Sequence, residues 1–197
     1  MQQTITLPTT GTYAIDPTHS NVEITARHMM VTKVRGNFEN VAGTITVGES
    51  VADSAVSVAF EAATIDTRVA DRDAHLRSAD FLDVENHPQI TFETTSITQA
   101  DSGFEVTGDL TIRGVTKPVT LDVTYVGDRN DPRSGKHKVG FSATATVTTP
   151  LTVTTSPSSN GTPFASLALA SAMGMGPPRT NSGGGVLIGR ACGSSYV

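Results

Sequence analysis

The sequence predicts an all-β protein built from short antiparallel strands, and three observations predict it. The composition is 37% hydrophobic and 17% charged, with 18 Gly, 10 Pro and no Trp among 197 residues, and this balance favours strands over long helices. Short segments alternate apolar and polar residues, as strands do when one face is buried and the other is solvated. Turns rich in Gly, Asn, Asp and Pro separate these segments, so neighbouring strands must be antiparallel.

The alternating segments follow one another from residue 21 to residue 147. The clearest runs from Val119 to Tyr125, where every odd position is apolar and every even position is polar. The other segments are Val22, Ile24 and Ala26; Thr44 to Val47; Val56, Val58 and Phe60; Ile90 and Phe92; Phe104 and Val106; Leu110 and Ile112; and Val139 to Val147. About seven strands precede residue 148, close to the eight that form a barrel wide enough for one small ligand. The pattern therefore predicts an up-and-down barrel or a sandwich.

Two segments depart from the strand pattern. Residues 67–83 are dense in charge and place Val69 and Leu76 seven positions apart, which predicts a short helical segment. Ser, Thr, Gly and Pro dominate residues 148–197, and such a composition is typical of tails. We therefore divide the chain into an N-terminal tail (1–11), a β-barrel domain (12–147) and an atypical C-terminal segment (148–197). We expect the last segment to be disordered or to close the barrel incompletely.

Charge and cysteine content exclude several classes of function. The formal net charge of −5 and the absence of any Lys or Arg run argue against a nucleic-acid partner. One cysteine cannot form an intrachain disulfide or a multi-cysteine metal site. The first twenty residues lack the pattern of a secretory signal, so the sequence as written predicts a cytoplasmic protein. No apolar run reaches the roughly 20 residues of a membrane span.

Three stretches together resemble the YceI family of polyisoprenoid-binding proteins. They are YAIDPTHS at 13–20 followed by RHMMVTKVRGNF at 27–38; DTR at 66–68, RDAHLRSADFL at 72–82 and HPQITF at 87–92; and GDLTIRGVTKPVTL at 108–121. The resemblance covers about residues 12–147. It implies an extended lipocalin-like barrel that holds an isoprenoid or similar lipid, in small bacterial proteins that are often periplasmic or secreted.

The resemblance weakens after residue 147. GGVLIG at 184–189 matches a turn that the family shows near its C-terminus, but residues 148–182 look foreign, and residues 190–197 lack the alternation of a closing strand. We interpret this segment as diverged or as the product of a reading-frame change. An incompletely closed barrel would leave strand edges unpaired.

Apolar strand residues are the candidates for lining a lipid tunnel. They are Val22, Ile24, Phe60, Phe92, Val106, Leu110, Ile112, Val119, Leu121, Val123, Phe141 and Ala143. The alternative is that the same residues fill a solid core, because alternation cannot distinguish a cavity from a packed interior. The family resemblance favours the cavity.

Polar candidates for contacting a lipid head group are His19, Arg27, His28, Arg68, Arg72 and His75. A capping or structural role is the alternative for each histidine. The acidic residues around His75 lie two positions apart and would point to different sides of a helix, so we expect no metal site.

The sequence favours a carrier over an enzyme. No spacing of Ser, His and Asp proposes a nucleophile with its base, and no phosphate-binding glycine motif occurs. We expect a protein that binds, sequesters or transports a long-chain apolar lipid, such as a polyisoprenoid, an isoprenoid quinone or a fatty-acid-like molecule, without other cofactors. The alternative is a stress-response or interaction module with a filled interior. Homodimerisation remains open.

Overall fold

The computed structural model describes residues 8–28, 32–132, 135–147 and 185–195, with the backbone alone described at 27–28, 32–33 and 185–195. This part of the chain contains one α-helix, α1 (Ala70–Arg77), and ten strands. The strands are β1 (Gly11–Ile15), β2 (Asn21–His28), β3 (Thr32–Phe38), β4 (Ala42–Val47), β5 (Ala55–Glu61), β6 (Gln89–Ala100), β7 (Gly103–Ile112), β8 (Val115–Asn130), β9 (His137–Val147) and β10 (Gly185–Ser195).

The strands form one antiparallel sheet that closes on itself. β1 pairs with β4, and β2 pairs with β3. β1 and β2 therefore act together as one bent strand, and β3 and β4 act together as a second. Each strand from β4 to β10 pairs with the next. β10 then pairs with β2 through its first half and with β1 through its last residues. Counted this way, the described residues form an eight-stranded up-and-down barrel, which confirms the predicted fold class.

Side-chain burial follows the alternation of the strands. Along β7, Phe104, Val106, Gly108 and Leu110 are buried, while the residues that alternate with them are more exposed. Val119 and Val139 continue the same inward face on β8 and β9. Since successive residues of a strand point to opposite faces, one apolar set from each of β1 to β9 meets inside the barrel and forms a single core.

Residues 185–195 form a strand that the sequence did not lead us to expect. We expected the C-terminal segment to lack a closing strand because its side chains do not alternate, yet Gly185–Ser195 pairs with β9 in register over ten positions and with β2 and β1 on its other edge. Pairing depends on backbone hydrogen bonds, which need no side-chain alternation. Residues 148–184 lie outside the described residues, so the division of the chain at residue 147 stays a prediction.

The connection between β5 and β6 closes one end of the barrel, here called the helical end. It carries α1 within the predicted segment 67–83, which confirms the short helix. Ile65, Leu76 and Phe81 of this connection are 0%, 2% and 5% exposed and belong to the barrel core. Arg77 donates hydrogen bonds of 2.7 Å to the carbonyls of Ala63 and Ile65, which fixes the connection across its own turns.

In the described residues no helix is long and apolar enough to cross a membrane.

The opposite end, here called the turn end, carries the β4–β5, β6–β7 and β8–β9 connections. An up-and-down order places alternate connections at the same end of a barrel. The register agrees, because Gly11 lies beside Val47 at this end and Asn130 lies beside His137. The barrel therefore has one end covered by a helical segment and another formed by the three connections between adjacent strands.

Candidate functional site

The barrel encloses a cavity of about 160 Å³. It is lined by 24 residues: Pro8, Ile15, Asn21, Val22, Val41, Ile45, Thr46, Val47, Val51, Ser54, Val56, Val58, Phe60, Phe92, Ile97, Phe104, Val106, Leu110, Val119, Leu121, Val123, Phe141, Ala143 and Ala145. The lining comes from eight of the described strands, from the β4–β5 connection, and from Pro8 before β1 and Val41 between β3 and β4. None of it comes from the segment 62–88, so the cavity lies between the middle of the barrel and the turn end.

The cavity wall is almost wholly apolar. Three of the lining residues, Asn21, Thr46 and Ser54, are polar and none is ionisable. Ser54 Oγ accepts a hydrogen bond from Gly48 N at 3.0 Å and donates to the carbonyl of Ser50 at 3.2 Å, so it contacts no base that could activate it. The described wall can hold an apolar group but offers no pair of groups for proton transfer or nucleophilic attack.

The structure brings most of the predicted lining residues together. Ten of the twelve candidates line the cavity: Val22, Phe60, Phe92, Val106, Leu110, Val119, Leu121, Val123, Phe141 and Ala143. Ile24 and Ile112 are half-buried and pack against the core without reaching the cavity. Contact of any of these residues with a ligand stays a prediction.

Sequence reasoning missed part of the wall. Val56, Val58 and Phe104 lie on strands that alternation had located, and only their contribution to the cavity was missed. Ile97 was hidden by an irregularity between Thr94 and Ser96. A β-bulge adds one residue to a strand, so Ile97 faces inward although it has the opposite parity to Phe92 on the same strand.

The head-group candidates whose side chains the structure describes, His19, Arg68, Arg72 and His75, do not line the cavity. His19 lies in the bend between β1 and β2 with its side chain 61% exposed, and its Nδ1 is 2.8 Å from Asp16 Oδ2. This hydrogen bond is the main cause that lowers the pKa of Asp16 to about 2, against the opposing effect of burial. The side chains of Arg27 and His28 lie outside the described part of the chain.

The other three head-group candidates lie at the helical end. Arg72 donates to Thr67 Oγ1 at 2.6 Å and to the carbonyl of Thr67 at 2.8 Å. His75 packs edge-on against Phe81 with ring centroids 4.8 Å apart. Arg68 is exposed, and its backbone has a φ of +65°. Arg72 and His75 therefore contribute to the structure of the α1 segment.

A group of four side chains at the turn end, here called the polar end cluster, was not predicted. It consists of Tyr13, Tyr125, Asp128 and His137. Tyr125 Oη donates to Asp128 Oδ1 at 2.5 Å, and His137 Nε2 lies 2.9 Å from Asp128 Oδ2. The rings of Tyr13 and His137 have centroids 6.4 Å apart.

Burial and the carboxylate of the cluster perturb both tyrosines. Burial first, and then the hydrogen bond to Asp128 and its negative charge, raise the pKa of Tyr125 to about 12. Burial followed by the charge of Asp128 also raises the pKa of Tyr13, whose hydroxyl donates to the carbonyl of Thr9 at 2.6 Å. Both phenols are therefore neutral hydrogen-bond donors around neutral pH.

The fold and the cavity define an antiparallel eight-stranded β-barrel with an apolar interior. The YceI-like domain matches residues 13–150, and the chain belongs to the YceI family. Protein YceI of Escherichia coli is 41% identical over 126 residues, 64% of this chain and 65% of that protein. The match thus spans somewhat less than two thirds of the length of these relatives.

Two solved structures resemble the chain. The Campylobacter jejuni YCEI protein has 30% sequence identity and a TM-score of 0.54, with 62% of this chain and 72% of that chain covered. A polyisoprenoid binding domain from Saccharophagus degradans has 12% identity and a TM-score of 0.58, with 93% and 98% covered. The second likeness shows a shared fold.

Proposed function

We propose that the protein binds a long-chain apolar lipid, a polyisoprenoid, an isoprenoid quinone or a fatty-acid-like molecule, inside its barrel and performs no chemistry on it. The observation that carries this proposal is a cavity wall with 21 apolar residues of 24 and no ionisable group. Such a wall favours hydrophobic chains and offers few partners to polar molecules. The polyisoprenoid-binding protein of the same fold supports the proposal.

The cavity volume indicates how such a ligand must be held. A cavity of about 150 Å³ can hold a benzene molecule, so this one has room for roughly one branched five-carbon unit. Burying five carbons contributes about 4 kcal/mol at about 0.8 kcal/mol per CH₂, which corresponds to a Kd of about 1 mM. Micromolar binding needs about 8 kcal/mol and hence about ten or more buried carbons. A ligand longer than one unit must therefore extend towards the turn end or displace the half-buried side chains of the wall.

Native mass spectrometry of the freshly purified protein tests the proposal. We expect an added mass that disappears on denaturation and is recovered as a lipid in the organic extract. Protein stripped of lipid should regain a chain when mixed with prenyl alcohols or fatty acids. Protein that stays empty with all of these chains would show that the barrel is a filled module and not a carrier.

A matched pair of variants locates the binding site. Ala143 lines the cavity, whereas its neighbour Thr144 is exposed on the outer face of β9. Ala143→Leu adds three carbons to a space that holds about five, so we expect the affinity for a prenyl chain to fall at least about tenfold. Thr144→Leu should leave the affinity unchanged. Equal affinities in the two variants would place the ligand outside the cavity.

A further inference from the structure

The polar end cluster lies one side-chain layer beyond the cavity. Tyr13 comes two residues before Ile15, and Tyr125 comes two residues after Val123, so each continues the inward face of a strand that lines the cavity. The ring of Tyr125 also contacts that of Phe141, another lining residue, with centroids 5.6 Å apart. An apolar chain that fills the cavity and leaves by the turn end would pass beside this cluster.

His137 brings to the cluster a buried nitrogen that lacks an aligned partner. Among the side-chain atoms that the structure describes, His137 Nε2 is buried and without a hydrogen-bond partner. Asp128 Oδ2 is 2.9 Å away but makes no hydrogen bond with this nitrogen. The other ring nitrogen, Nδ1, lies 2.9 Å from Asn130 Oδ1, and the tautomer decides whether Nε2 donates or accepts. A ligand hydroxyl placed at Nε2 can do either and would satisfy a buried polar group.

The charges at this end disfavour an anionic head group. The cluster contains one carboxylate and neither Lys nor Arg. Lys138 follows His137 on the opposite face of β9, where its Nζ is 3.5 Å from Asp16 Oδ2 and 3.9 Å from Asp131 Oδ2. A phosphate would need cationic partners of the kind that Arg and Lys supply, and here it would meet the charge of Asp128 instead.

We propose that the polar end cluster binds the uncharged head group of the lipid, a hydroxyl, with His137 Nε2 as its hydrogen-bond partner, and that Asp128 selects against phosphate head groups. This inference rests on the proposed lipid binding. It assigns an orientation as well as a preference: the apolar tail points towards the helical end, and the oxygen stays at the turn end.

Three ligands with the same fifteen-carbon chain test the proposal by calorimetric titration of the full chain at pH 8. They are farnesene, which has no head group, farnesol, and farnesyl phosphate. We expect wild-type protein to bind farnesol at least about tenfold more tightly than farnesyl phosphate, since one hydrogen bond gained and one like-charge contact avoided have about that effect together. Asp128→Asn should bring the two affinities within about threefold of each other.

Variants of His137 distinguish the contribution of the head group to affinity from that of the apolar chain. His137→Phe should weaken farnesol binding about fivefold to tenfold and leave farnesene unchanged, while His137→Gln, which keeps an N–H donor, should restore part of the loss. His87→Phe makes the same change at the helical end and should alter neither affinity.

The outcomes distinguish this proposal from the proposed function. If farnesene binds but wild-type protein prefers farnesyl phosphate, or if His137→Phe weakens farnesene and farnesol equally, the assignment of the cluster is overturned and lipid binding stands. If none of the three ligands binds, both are overturned.

Discussion

A buried carboxylate fixes the segment that closes the helical end, and its removal gives the sharpest stability prediction. Asp73 is 6% exposed, and its Oδ1 accepts hydrogen bonds from Thr67 N at 2.9 Å and from Thr67 Oγ1 at 2.5 Å. Hydrogen bonds to a charged group contribute about 1.5 to 3 kcal/mol each. Asp73→Ala removes both and leaves a buried N–H unpaired, so we expect the free energy of unfolding to fall by about 3 to 5 kcal/mol.

Urea unfolding followed by circular dichroism measures this change, with the midpoint lowered and the slope unaltered. Asp71→Ala is the matched control, because Asp71 is exposed in the first turn of the same helix; it should cost less than about 1 kcal/mol. Thr67→Val combined with Asp73→Ala should cost less than the sum of the single changes, since each removes the bond from Thr67 Oγ1 to Asp73 Oδ1. A loss at Asp73 no larger than that at Asp71 would refute the reasoning.

Three further changes probe the turn end and the sheet. Tyr125 should ionise near pH 12 in an ultraviolet titration, and Asp128→Asn should lower that pKa. Because the pKa of Tyr125 in the folded protein lies above the ordinary value of about 10, the contribution of Tyr125 to stability is complete below pH 10 and is lost as the pH rises to 12. The pKa of Asp16 is lowered instead, so its contribution is present above about pH 4 and is lost as the pH falls to 2; in an NMR titration, His19→Ala should raise this pKa. Gly43→Ala should destabilise the protein by several kcal/mol in urea unfolding, because φ is +149° and a Cβ would lie 2.0 Å from a backbone oxygen of β5.

The alternation of apolar and polar residues predicted the strands that bury one face in the barrel. It failed for strands whose sequence does not alternate. β8 and β9 were found because Val119, Leu121 and Phe141 recur with period two against polar neighbours. β1 was missed as a strand because Gly11–Ile15 offers only five residues, too few to establish a period. β10 was missed because it closes the sheet through backbone hydrogen bonds, which require no alternation of side chains. Its sequence is rich in Gly and Ser and does not alternate.

The candidate site was predicted in part. Inward-facing apolar residues were identifiable, but whether they leave a cavity depends on how side chains from eight strands meet, and this is a property of the closed barrel. The polar end cluster was hidden by a bulge between Tyr125 and Gly127. The extra residue turns Asp128 onto the inward face of Tyr125, although a regular strand would place residues three apart on opposite faces.

The two ends of the barrel differ in a way that, under the proposed lipid binding, favours one orientation of the chain. At the helical end, Leu76 and Phe81 occupy the interior and present only apolar surface, so a head group buried there would lose its hydrogen bonds to water without replacement. At the turn end, Tyr125 and His137 place polar groups beside the last layer of the cavity wall. Under the proposed lipid binding, each further carbon adds to the free energy of binding where the chain displaces a half-buried side chain of the wall, while the head group keeps a polar partner. We therefore predict loose selection for tail type and closer selection for head group, because apolar contacts are non-directional and hydrogen bonds are not.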